Sequence, residues 1–207
     1  MDIVGQINQI HREVGTGRIP AGDGRTVLLR RDFDAPIDDV WDACTDADRI
    51  SRWFLPVTGD LRLGGTYQLE GNAGGEILRC EPPRLLRVSW IFGELPPTEV
   101  EVRLTGADDR TVFELEHVAI VDPAMWEQFG PGAVGIGWDL TLIGLTAHLS
   151  GASTQIPKDW QRTPAALEFI TRSGEAWGVA YQKSGATADE AEATTRTTIA
   201  AYTTPPA

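Results

Sequence analysis

One titratable side chain, His117, is expected to face the interior of a sheet. In the stretch FELEHV, glutamates alternate with Phe113, Leu115 and His117. Because successive side chains of a strand point to opposite faces, the glutamates face solvent and His117 faces inward. An inward imidazole can anchor a ligand or act as a general base in an apolar pocket. The simpler interpretation is a core-edge histidine that is satisfied by a backbone carbonyl or a tyrosine hydroxyl.

A glycine-rich stretch, GPGAVG at residues 130–135, matches the spacing of a nucleotide-binding loop, G-x-G-x-x-G. That loop requires a preceding strand, a following helix and a ribose-binding acid about 20 residues later. The preceding AMWEQF is not strand-like, and Ser, Thr and Gly stand where the acid is needed. The stretch therefore predicts loop glycines and a close contact between a helix and a sheet.

The other reactive side chains form no recognisable site. His11, His117 and His148 and the cysteines Cys44 and Cys80 lack the close-spaced pairs of a structural zinc site. The chain contains no nucleophile elbow, phosphate-binding lysine loop or HExxH. We therefore expect no metal and no cofactor. We also expect both cysteines to be reduced, because disulfides are rare in the cytoplasm.

The charge of the chain restricts its partners. Its 207 residues carry a formal net charge of −12, which repels phosphate backbones and anionic membrane surfaces. The densest basic group, Arg25, Arg30 and Arg31, is interleaved with aspartates. We expect no nucleic-acid partner. The N-terminus does not resemble a secretion signal and Asp139 interrupts the most apolar stretch, so a cytoplasmic protein without a membrane span is expected.

The beginning of the chain indicates helices around one strand. Ile3, Ile7, Ile10 and Val14 have the spacing of an amphipathic helix over residues 3–14, which predicts a helical N-terminal arm at residues 1–25. A strand at 25–35 follows. Pro36 then opens a short helix, and Asp46 caps the next one.

Residues 61–118 have the period of two that is typical of strands. Short turns separate strands near 66–70, 76–81, 85–92, 98–105 and 111–118, which predicts an antiparallel meander. The alternation turns one apolar set inward, namely Tyr67, Leu69, Leu86, Val88, Trp90, Phe92, Val100, Val102, Leu104, Phe113, Leu115 and His117. Glu99, Glu101 and Arg103 are assigned to the outer face.

A helix over residues 134–149 is apolar on two sides, so the sheet alone cannot bury it. Val134, Trp138, Leu142, Leu145 and Leu149 form one face, and Ile136, Leu140, Ile143 and Ala147 the other. Two further helices are predicted, the first opened by Thr163 and Pro164 and the second by a capping box of Thr187 and Glu190. We expect these helices, or the N-terminal arm, to cover the Ile136 side.

Four runs of the sequence resemble a known superfamily. They are FDAPIDDVWDACTDADRISRWF, LRLGGTYQLEGNAGGEILRCEPPRLLRVSW, TEVEVRLTGADDRTVFELEHVAI and GWDLTLIGLTAHL. In this order, over about residues 26–150, they resemble the SRPBCC (START/birch-pollen-allergen-like) superfamily. Within it, they are similar to the branch named after the C-terminal domain of the heat-shock-protein-90 ATPase activator.

This resemblance implies an α+β helix-grip fold, in which a curved antiparallel sheet wraps around a long C-terminal helix and two short helices close one end. It also implies a pocket for small apolar molecules between helix and sheet, as in many members. We expect the helix-grip domain at residues 26–151 and a helical extension packed on it at residues 152–207.

Three functions stay open at this point. The first is binding of a small apolar, aromatic or lipid-like molecule in a pocket lined by Trp53, Tyr67, Leu69, Trp90, Phe113, His117, Trp138 and Leu142. The second is an enzyme similar to the superfamily's polyketide cyclases and aromatases, with His117 as the base and Tyr67 assisting. The third is a protein-interaction or co-chaperone-like module, although the arm before Arg25 is too short for the activator's separate N-terminal domain. No motif identifies a protein partner or a homodimer.

Overall fold

A computed structural model describes residues 3–96, 98–152, 160 and 163–204 of the chain. Its strands are β1 (His11–Ile19), β2 (Gly22–Phe33), β3 (Val57–Gly59), β4 (Thr66–Leu69), β5 (Gly74–Glu81), β6 (Leu85–Trp90), β7 (Thr98–Ala107) and β8 (Arg110–Ala119). Its helices are α1 (Ile3–Ile7), α2 (Ile37–Thr45), α3 (Ala47–Trp53), α4 (Pro123–Phe129), α5 (Gly132–Leu149), α6 (Pro164–Lys183) and α7 (Ala188–Thr203).

The strands form one antiparallel sheet in the order β1-β2-β8-β7-β6-β5-β4-β3. The long helix α5 lies against the inner face, and the core fills the space between them. Inward residues of β2 and β8, such as Leu29 and Leu115, are buried in this core together with Leu142 and Leu145 of α5. The predicted α+β helix-grip fold is confirmed, and the glycine-led stretch belongs to its long helix.

Both faces of α5 are covered, as its two apolar stripes predict. Ile136 and Ile143, on the side away from the sheet, are 2% and 5% exposed. Helices α6, α7 and α1 all contact α5. The C-terminal hairpin and the N-terminal arm therefore share the covering role that we expected of one or the other. No helix in the described part of the chain combines the length and apolar character of a bilayer span.

The predicted helix over residues 3–14 is wrong. Helix α1 ends at Ile7, and His11–Ile19 forms an edge strand paired with β2 from His11↔Arg30 to Ile19↔Gly22. The apolar spacing fits both structures, since Ile7 and Ile10 are buried in either case. The turn before Gly22 favours the strand over the helix. Gly22 has a φ of +143°, which glycine adopts easily, and the chain folds back there as a hairpin.

The MWEQF segment forms the helix α4, which Asp122 caps by accepting from the backbone N–H groups of Ala124 and Met125. Two expectations about the sheet need correction. Phe92 is 51% exposed, because β6 ends at Trp90. Glu101 points outward as predicted but is buried between Arg87 and Arg103, with which it forms ion pairs.

Candidate ligand cavity

A cavity of about 170 Å³ lies between the inner face of the sheet and α5. Helices α2 and α3 and the chain around β3 close it on one side. The lining residues are Cys44, Thr45, Ile50, Trp53, Phe54, Val57, Leu61, Tyr67, Leu69, Ile77, Cys80, Leu86, Val88, Trp90, Val100, Val102, Phe113, Leu115, Trp138, Thr141, Leu142 and Leu145. Not one of these side chains belongs to Asp, Glu, Lys, Arg or His, so the wall is uncharged.

The structure brings most of the predicted pocket residues together. Seven of the eight line the cavity, namely Trp53, Tyr67, Leu69, Trp90, Phe113, Trp138 and Leu142. The strand residues line the cavity because their side chains point to the inner face of β4, β6 and β8. Trp138 and Leu142 line it because they lie one turn apart on the same face of α5. His117 is not among the lining residues. It lies behind the aromatic wall, with its ring in edge contact with Trp138 at 5.8 Å between centroids.

The hydrogen bonds of His117 explain its position. Trp138 donates its indole N–H to Nδ1 at 3.1 Å, and Nε2 lies 2.7 Å from the Thr98 hydroxyl. That hydroxyl donates to the carbonyl of Trp90 at 2.9 Å, so His117 is the donor at Nε2. Burial lowers the pKa of His117 to about 4, which keeps the ring neutral. The simpler interpretation as a satisfied core histidine fits, with different partners from those expected.

The three hydroxyl groups in the cavity wall already donate hydrogen bonds to backbone carbonyls. Tyr67 donates to the carbonyl of Ser89 at 2.9 Å, Thr45 to that of Trp41 at 2.8 Å, and Thr141 to that of Gly137 at 2.9 Å. Burial raises the pKa of the Tyr67 phenol, so the phenol stays protonated. The part of the wall that a ligand would contact is therefore mainly apolar.

Two thiols, Cys44 and Cys80, also line the cavity, and both are free, as predicted. Burial raises the pKa of Cys44 to about 12 despite the positive charge of Arg49. Because the thiolate is the reactive form, Cys44 is not an activated nucleophile at neutral pH. It contributes to the wall as a small apolar side chain.

Sequence reasoning missed the side of the cavity formed by Ile50, Phe54, Val57 and Leu61. Strand β3 has only three residues, which is too short for an alternation to be visible. By contrast, the predicted inward set already contained Val88, Val100 and Val102, so the same signal that selected Trp90 could have selected them.

The most exposed residue of the cavity wall lies on this missed side. It is Leu61, which lines the cavity and is 36% exposed. Helix α3 contributes Ile50 and Trp53 to the wall, yet none of its residues is fully buried. The Trp53 ring is nevertheless fixed, because its N–H donates to the carbonyl of Ala43 at 2.9 Å.

A buried polar cluster lies on the opposite face of α5. The Asp139 carboxylate, with no exposed surface, accepts from Arg12 Nε at 3.0 and 3.1 Å. It also accepts from the Ser173 hydroxyl at 2.5 Å and the Trp177 N–H at 3.2 Å. Arg12 in turn donates to the carbonyl of Ile10 at 2.8 Å. This cluster links β1, α5 and α6 through hydrogen bonds to Asp139.

Among the residues that the structure describes, no three or more His, Cys, Asp or Glu side chains come together in a group that could hold a metal ion.

Comparison with known proteins identifies the family. Residues 34–150 match the family described as Activator of Hsp90 ATPase homolog 1-like protein. The chain belongs to this family. The resemblance found in the sequence is thereby confirmed, and the matched residues run from just before α2 to just after α5. Comparison with functionally curated proteins gave no match.

Solved structures of this fold include a relative of nearly full length. CalU16 from Micromonospora echinospora is 42% identical in its crystal structure, with a TM-score of 0.70 over 83% of this chain and 97% of CalU16. Its solution structure gives 39% identity and a TM-score of 0.72 over 85% of this chain and 97% of that one. DynU16, a protein of the dynemicin biosynthetic locus, is 23% identical with a TM-score of 0.57 over 63% of this chain and 49% of DynU16, and shows the fold alone.

Proposed function

We propose that this protein binds a small apolar or aromatic molecule in the cavity between the sheet and α5. The observation that carries the proposal is the wall itself, which is uncharged and rich in aromatic rings. Trp90 contacts both Trp138 and Tyr67, with centroids 5.1 and 6.5 Å apart. Such a concave, mostly apolar site with few polar groups is the usual form of a small-molecule site.

The size of the cavity favours a ligand of about one ring. An engineered protein cavity of about 150 Å³ binds benzene, and the volume here is about 170 Å³. Burial of such a ring contributes about 25 cal/mol per Å² of apolar surface removed from water. A longer molecule would have to extend past Leu61 toward solvent.

Binding fits the wall better than acid–base catalysis. A general base must lie within hydrogen-bonding reach of its substrate, and His117 is separated from the cavity by Trp90 and Trp138. Tyr67 and Cys44 line the cavity, but burial raises both pKa values and keeps both groups neutral.

A cavity-filling substitution tests the proposal. Val102→Phe adds a ring inside the cavity, whereas Val112→Phe makes the same change on β8 at a position outside the wall. We expect ethylbenzene to raise the melting temperature of the wild type and of the Val112→Phe variant, because a ligand at 100 times its Kd stabilises the native state by about 2.7 kcal/mol.

The Val102→Phe variant should show an affinity for ethylbenzene at least about tenfold lower, since the added ring takes the space of the ligand. A wild type that does not respond up to the solubility limit of ethylbenzene would contradict the proposal. So would a Val102→Phe variant that folds and responds like the wild type.

A further inference from the structure

We propose that the indole N–H of Trp90 is the specificity-determining donor of the cavity, and that the preferred ligand is a neutral apolar ring with one hydrogen-bond acceptor. This inference rests on the proposed function, because it concerns the ligand of the same cavity.

Six side chains of the wall carry a strong hydrogen-bond donor. Five of them donate to protein acceptors at 2.8–3.1 Å: Thr45, Trp53, Tyr67, Trp138 and Thr141. Each acceptor is a backbone carbonyl, except that of Trp138, which is His117 Nδ1. A ligand could use any of these donors only by replacing a bond that already exists.

Trp90 is the sixth donor, and its N–H has no acceptor among the described residues. The ring is held in place between Tyr67 and Trp138, and the Trp90 carbonyl accepts from Thr98 at 2.9 Å. Among the described residues, the fully buried side-chain nitrogens without a partner all belong to Arg31, so the Trp90 nitrogen is not one of them. Trp90 also lines the cavity, and its N–H is therefore the strong donor of the wall that a ligand can use without replacing an existing hydrogen bond.

A positioned donor selects for an acceptor on the ligand. A hydrogen bond within a protein contributes about 0.5–1.5 kcal/mol net, which corresponds to about 2- to 12-fold in affinity. Charge on the ligand is disfavoured, because no charged side chain lines the cavity and an unpaired buried ion is costly. A carbonyl or ether oxygen on an apolar ring meets both conditions, and a carboxylate does not.

The test compares three ligands of similar size, namely ethylbenzene, acetophenone and benzoate, on the wild type and on two variants. Trp90→Phe removes the free donor but keeps an aromatic side chain. The matched control, Trp53→Phe, removes a donor that is already bonded to Ala43. The measured quantity is the ratio of the ethylbenzene Kd to the acetophenone Kd, in which a general change of cavity volume cancels.

We expect this ratio to fall about 2- to 12-fold in Trp90→Phe and to stay unchanged in Trp53→Phe. An unchanged ratio in Trp90→Phe would overturn the inference while leaving the proposed function intact, and a wild type that binds none of the ligands would refute the proposed function itself. Benzoate that binds as tightly as acetophenone would overturn the preference for a neutral ligand.

A second measurement does not depend on the folding of any variant. In the wild type, acetophenone should move the NMR resonance of the Trp90 indole proton downfield, and ethylbenzene at equal saturation should not. Equal shifts with both ligands would contradict a hydrogen bond from Trp90.

Discussion

Asp139 connects α5 to β1 through Arg12 and to α6 through Ser173 and Trp177. Its side chain has no exposed surface and forms an ion pair with Arg12 at 3.0 Å. Burial raises the pKa of Asp139, and the charge of Arg12 opposes this shift. Asp139→Asn keeps the shape but leaves the Arg12 cation buried without a counter-charge. We expect the free energy of unfolding to fall by about 3–5 kcal/mol, measured by chemical denaturation.

The control for this prediction is Glu168→Gln, which removes an exposed ion pair with Arg172 on α6. Exposed pairs contribute about 1 kcal/mol or less, so this variant should unfold almost like the wild type. Equal effects of Asp139→Asn and Glu168→Gln would show that the buried cluster does not stabilise the packing of α5 against β1 and α6.

His117 makes stability depend on pH. Its pKa is about 4 in the folded protein, below the 6.5 of an unperturbed histidine. As the pH falls from 6.5 to 4, the unfolded chain takes up this proton first, so the native state loses roughly 1.4 kcal/mol per pH unit, or roughly 3 kcal/mol in total. At pH above 6.5 this contribution is fully present.

The measurement compares denaturation of the wild type and of His117→Gln at several pH values. Glutamine can still accept from Trp138 and donate to Thr98, but it does not titrate. The wild type should therefore lose roughly 3 kcal/mol more than the variant between pH 6.5 and 4. Parallel pH profiles would mean that the imidazole is not held neutral in the core.

At the scale of elements, the contact between α5 and α6 depends on a glycine. A Cβ at Gly135 would lie 2.3 Å from the Trp177 ring, whereas one at Gly137 would meet only the Tyr202 hydroxyl, at 3.7 Å. Gly135→Ala should therefore destabilise the protein by about 1–3 kcal/mol through overpacking. Gly137→Ala should stabilise it by up to about 1 kcal/mol, because alanine favours a helix.

Thermal and chemical denaturation of these two variants checks the prediction. The two substitutions lie in the same helix, so opposite changes in the free energy of unfolding would report on the contact with α6 and not on helix propensity. If Gly135→Ala were as stable as Gly137→Ala, the helices would not approach each other as closely as the structure has them.

The same contact shows what the sequence could and could not predict about elements. The two apolar faces of α5 predicted a covering element, and the capping signals at Thr163 and Thr187 predicted the helices that provide it. The edge strand β1 was missed, because its apolar spacing also fits a helix and its partner in β2 lies beyond a turn. Local periodicity does not encode that pairing.

At the scale of the whole molecule, the sequence predicted the sheet, the grip helix and most of the aromatic wall. The inward phase of the strands located Tyr67, Trp90 and Phe113 correctly. The alternation could not distinguish residues that line the cavity from residues that lie behind its wall. It predicts which face of the sheet a side chain is on, but not how far that side chain lies from the cavity. His117 shares the phase of Phe113, yet Trp138 lies between its ring and the cavity.

Intermolecular NOEs between ethylbenzene and the protein's methyl groups would locate the ligand in the cavity directly. We predict NOEs to Leu69, Val100 and Leu142, which line the cavity, and none to Ile136 or Ile170, which are buried outside it. NOEs confined to exposed residues such as Leu95, or a saturated complex without NOEs to the cavity methyls, would show that the protein does not bind the ligand between the sheet and α5.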